Sequence, residues 1–107
     1  MGVEMNSKLK KERMWELMYR EGFKKFGRPE SPKLIAVLDL IFEQGYTATD
    51  LGNEIRHLES LIHKMSKKKK DFGERINRQK AILDANIQKN ITMICIMEWA
   101  RKTLIGD

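Results

Sequence analysis

The chain of 107 residues carries 21 Lys and Arg against 15 Asp and Glu, a net charge of +6, with 41% apolar and 34% charged residues. That length suits one helical domain, residues 1–107, with a modest core and leaves no room for two, and the composition excludes an intrinsically disordered chain. The longest apolar stretch, ITMICIM over 91–97, is seven residues, and no apolar segment opens the chain, so neither a signal peptide nor a membrane span is expected.

Met1-Gly2 is followed by Asn6 where an acylation signal needs Ser or Thr, so myristoylation is not expected either. The only cysteine, Cys95, allows no disulfide within the chain, which favours a reducing, cytoplasmic setting. Inside its apolar run it reads as a small buried hydrophobe. Charge is unevenly spread: residues 1–30 carry +3, residues 31–63 carry −3, residues 64–89 carry +6, and the remainder balances.

Residues 7–26 predict a first helix with Asn6 or Ser7 as its N-cap. At 100° per residue Trp15, Met18, Tyr19, Phe23 and Phe26 share one side, and Lys10, Arg13, Arg20 and Lys24 form a narrow basic arc opposite. Gly22, on the apolar side, suggests a close helix crossing, and Gly27 followed by Pro29 ends the helix. The second helix, 32–44, is expected to start at a Ser31 cap with Pro32 in first position, to stop at Gly45, and to be the most buried.

The third helix, 48–66, opens on a capping-box arrangement of Thr47 with Asp50. Leu51, Ile55, Leu58, Ile62 and Met65 then repeat at spacings of 4, 3, 4 and 3, a coiled-coil-like seam. The same phase resumes at Phe72 and Ile76 and continues through Gln79, Leu83, Asn86, Asn90, Met93, Met97, Ala100 and Leu104. One continuous helix over 48–104, roughly 80 Å long at 1.5 Å per residue, is therefore compatible with the phase. Against it, Gly73 and the Asp71/Glu74 capping pattern read as a fresh helix start, which makes 48–66 and 72–104 the arms of a hairpin. ITMICIM could also form a buried strand, but no partner strand exists for it, so it is taken as the buried centre of the last helix. The expected fold is all-α: a small four-helix domain with a long C-terminal helical hairpin.

Chemistry has little to stand on. His57 and His63 are six residues apart, on opposite sides of one helix; Glu59 with His63 supplies only two candidate metal ligands; and the glycines are scattered singly. Paired acids such as Asp50 and Glu54 are what the first turn of a helix prefers. No catalytic, cofactor or metal site is expected, and the chain is read as non-enzymatic.

Nucleic-acid binding has more support, because gripping phosphates needs several cations on one surface. HKMSKKKKDFGERINRQK, residues 63–80, holds eight basic residues against two acids. Within it Lys64, Lys67, Lys68, Lys69, Lys70, Arg75 and Arg78 form one candidate surface; Lys67, Lys68, Lys69, Lys70, Arg75 and Arg78 are the expected contacts with DNA or RNA, and Lys10, Arg13, Arg20 and Lys24 would extend the footprint. The bland alternative is that these lysines only complement the negative end of a helix dipole. A helix-turn-helix over 33–55 lacks a second turn and falls in the acidic segment.

Polar Lys69, Gln79, Asn86 and Asn90 at core-like seam positions would suit a homodimer whose register they fix. The leading expectation is a small cytoplasmic regulatory protein of bacterial, phage or plasmid type, binding nucleic acid as a dimer. The alternative is an adaptor or inhibitor docking on an acidic protein partner, a protein–protein interaction module that would leave an apolar patch exposed. A monomeric bundle, and a protein lying on anionic lipid through its first helix, are further readings.

Overall fold

The computed structural model describes residues 2–71 and 77–106. Helices α1 (Gly2–Phe26), α2 (Ser31–Phe42), α3 (Ala48–Asp71) and α4 (Asn77–Ile105) follow one another, with a 3-10 turn, Arg28–Glu30, between the first two. No strand occurs among the described residues, and ITMICIM is helical.

α1 begins earlier than its expected caps, so Asn6 and Ser7 lie inside the helix. It ends where expected: Gly27 takes a positive φ of 85°, a region open to glycine at no steric cost, and donates to the Phe23 carbonyl at 2.9 Å. Ser31 does not cap α2. The intervening 3-10 turn moves the cap position to Glu30, whose side chain makes no cap bond, and Ser31 becomes the first helical residue. Its hydroxyl bonds the Tyr19 hydroxyl at 2.8 Å, tying α2 to α1.

α2 is the central helix of the core. Leu34, Val37, Leu38 and Ile41 are all buried, and Leu34, Val37 and Leu38 have no exposed surface. After α2, Gly45 at φ 73° turns the chain so that the Tyr46 N–H reaches the Leu40 carbonyl at 3.0 Å. The capping box then starts α3. Thr47 N–H donates to Asp50 Oδ2 at 2.9 Å, and Asp50 N–H donates back to Thr47 Oγ1 at 3.2 Å. Thr47→Ala removes this acceptor and is expected to cost about 1 kcal/mol, with Thr47→Ser close to neutral, as read by urea denaturation.

α3 and α4 lie antiparallel, so the hairpin is formed and the continuous helix is not. Near its base Arg101 Nε donates to the Ala48 carbonyl at 3.3 Å; near its tip Lys69 pairs with Asp84. The expected helix start at Phe72 and its capping partner Glu74 lie outside the described residues. Asp71 is the last residue of α3.

The core gathers Met18 from α1, the four α2 residues, Leu51 and Ile55 from α3, and Ile96, Met97 and Ala100 from α4. Beyond these, no described residue between 56 and 95 is buried. The outer hairpin is therefore a two-helix arm, held by half-buried Leu58, Ile62 and Met65 on one side and Leu83, Ile87 and Ile94 on the other. Since α1 and α2 cover only the base, the molecule is long, 64 × 27 × 24 Å.

Three seam expectations and one burial expectation are corrected, Leu104 being among the seam positions that are exposed. Gln79 and Asn86 are exposed, and Ile87 takes the inward position. Cys95 is exposed, not buried. α4 meets α3 on one side and α1 with α2 on another, and the remaining solvent side carries Ile91, Cys95, Glu98 and Lys102.

Candidate nucleic-acid interface

The last two turns of α3 present Lys64, Lys67, Lys68 and Lys70 on exposed positions. At 100° per residue they span about 160° of the helix surface, wrapping its outer side. Lys69 is in phase with Leu51, Ile55, Leu58, Ile62 and Met65, and so turns inward toward α4, where Asp84 engages it. Its Nζ already has an anionic partner, which makes it less available to a phosphate. Breaking this exposed pair by Lys69→Met is expected to change stability by less than about 1 kcal/mol.

Arg78 follows in the first turn of α4 and is exposed; Lys80 is half-buried beside it. Arg75 lies outside the described residues. The helix dipole explains only part of this arrangement. Lys68, Lys69 and Lys70 sit in the last turn of α3, where cations are stabilising. Arg78 and Lys80 sit at the opposite pole, the N-terminus of α4, which holds no acid in its first turn. Cations there oppose the dipole, so helix stability does not account for them.

The second expected surface is separate. Lys10, Arg13, Arg20 and Lys24 are exposed along α1, and Lys24 lies 3.8 Å from Glu21. α1 meets α4 at Trp99, through an edge-to-face contact with Phe26 at 5.8 Å between ring centres. From Trp99 to Lys80 is about 30 Å along α4 at 1.5 Å per residue. Tip and arc therefore do not merge into one patch within a single chain.

The sequence reading missed where the acids go. Glu12, Glu16, Asp39 and Glu43 line a cleft between α1 and α2, with Lys11, Trp15 and Phe42. Trp15 Nε1 donates to Asp39 Oδ1 there at 3.4 Å. The signal was present as two acid pairs four residues apart, one on each helix. These four acids lie at the α1–α2 end of the molecule, away from the lysines of the last two turns of α3.

His57 and His63 are both exposed, and no three potential metal ligands come together among the described residues. No helix there is long and apolar enough to cross a membrane. Compared with protein-family models, curated proteins and solved structures, the chain matches none.

Proposed function

We propose that this chain is a small, non-enzymatic, cytoplasmic regulatory protein that binds DNA or RNA through the basic tip of its hairpin and acts as a homodimer. The observation that carries this reading is Arg78 with Lys80 at the N-terminal pole of α4. Placed beside Lys64, Lys67, Lys68 and Lys70, they assemble cations from both arms where the helix dipole favours them on only one. A phosphate backbone is the ligand class that rewards such a cluster, since each neutralised phosphate releases counterions. The arc of Lys10, Arg13, Arg20 and Lys24 supplies a second contact region about 30 Å away.

The test is a low-salt titration of nuclease-treated protein against duplex DNA, single-stranded DNA and RNA. Binding whose log affinity falls linearly with log salt is expected. No binding to any of the three at low salt overturns the proposal.

The alternative, a module that docks on another protein, is favoured by one observation: Met14 and Leu17 are 43% and 52% exposed on one face of α1. Nuclease-resistant copurification with one defined polypeptide would support it over nucleic-acid binding.

A further inference from the structure

The exposed surface is 8025 Å², whereas a compact monomer of 12.6 kDa exposes about 6,200 Å². The radius of gyration is 17.1 Å against about 13 Å for a compact chain of this length. Part of this excess is the two-helix arm.

Two of the exposed large hydrophobic residues, Met14 and Leu17, lie along a groove between α1 and the end of α4, lined by Met14, Leu17, Met18, Glu21, Trp99 and Thr103. Met18 is buried in its floor and Trp99 is half-buried in its wall. On the α1 rim, Lys10, Met14, Leu17 and Glu21 are all exposed, spaced 4, 3 and 4 apart. They fall within about 60° of one another, one straight stripe. Read along the helix, the stripe is positive, apolar, apolar, negative; read backwards, each charge meets its opposite.

We propose that this groove receives α1 of a second copy, antiparallel, about a two-fold axis between Met14 and Leu17. Met14 packs on the partner subunit's Leu17, and Lys10 pairs with the partner subunit's Glu21, each contact occurring twice. The interface is isologous and closes at two copies. A two-fold axis that relates antiparallel helices keeps their upper sides together. Arg13, Arg20 and Lys24, which flank the stripe on one side, therefore join their symmetry mates on one face of the dimer. This inference deepens the proposed function, resting on its homodimer, and supplies a joint basic surface that one chain does not form.

Sedimentation equilibrium of nuclease-treated protein, with no nucleic acid present, tests it. The wild type is expected at twice 12.6 kDa. Leu17→Glu puts two acids across the axis and is expected to weaken the dimer roughly thirtyfold or more, with helical circular dichroism unchanged. Lys10→Glu alone should also weaken it, and adding Glu21→Lys should restore it, because the stripe then has the same complementarity with signs exchanged. A wild type that stays monomeric, a Leu17→Glu variant that stays dimeric, or a double variant that fails to recover overturns the interface. Nucleic-acid titration of the same samples separates the two ideas: tip binding by a monomeric wild type overturns the dimer and its interface and leaves nucleic-acid binding standing, whereas a dimer that binds no nucleic acid overturns nucleic-acid binding alone.

Discussion

Gly22→Val is expected to destabilise the fold by about 3 kcal/mol, lowering the urea midpoint by roughly 1–3 M. Gly22 lies where α1 crosses the core. A Cβ built there would stand 2.6 and 2.9 Å from the two methyl carbons of Leu34 and 3.1 Å from the Trp99 ring. Leu34 is fully buried, so its methyls have no free space to retreat into. Alanine at this position gains about 1 kcal/mol of helix propensity, which partly offsets the crowding, so Gly22→Ala should lose less than valine does. Valine adds two further carbons in the same direction and gains less helix propensity than alanine. For a chain of this length, total stability is on the order of 5–15 kcal/mol, so the valine variant loses a sizeable share. Equal stability of valine variant and wild type would mean that α1 does not pass this close to α2 and α4.

Features decided by a few neighbouring residues were legible in the sequence. The Thr47/Asp50 box, the stop at Gly45, the close crossing at Gly22 and the burial of α2 each follow from local steric or hydrogen-bonding rules, and each is formed. Ser31 escaped because its hydroxyl found a tertiary partner, Tyr19, which no local rule contains. The polar seam positions in α4 were misread for a related reason. Carrying the heptad phase from Met65 onward assumes an unbroken helix, but α4 takes its phase from the helices it packs against. At its base it packs on two sides and along the arm on one, so no single stripe describes it. Ile87 is half-buried along the arm, while Ile82, five residues earlier, is 56% exposed.

The candidate site was legible as composition and only partly as geometry. The lysine run announced a positive surface; that Lys69 faces Asp84 follows from its seam position and required the hairpin to be in place. The opposition between Arg78 and the dipole of α4 depends on where α4 begins. The self-complementary stripe on α1 lay within plain helical periodicity, but Leu17 and Met14 stand out only once the core is known to be filled by Met18 and its neighbours.

Reversing two tip charges, Lys67→Glu with Lys70→Glu, is expected to lower affinity for nucleic acid about a hundredfold at low salt. Removing two charge-assisted hydrogen bonds to phosphate at once accounts for an effect of that order. The salt dependence should flatten as well, by close to two units of slope on duplex DNA, since two fewer counterions are released. These two lysines are the informative choice because both are exposed, and neither is Lys69, whose replacement would also break the pair with Asp84. Loss of binding therefore reports on the tip and not on the hairpin. Arg13→Glu with Arg20→Glu on α1 should weaken binding less, because the arc adds to a footprint that the tip begins. If the α1 pair abolishes binding while the tip pair leaves it intact, the order of importance reverses, and the shared basic face of the dimer becomes the primary contact. Binding that neither pair alters would place the nucleic acid on neither surface and leave the hairpin lysines as dipole partners only.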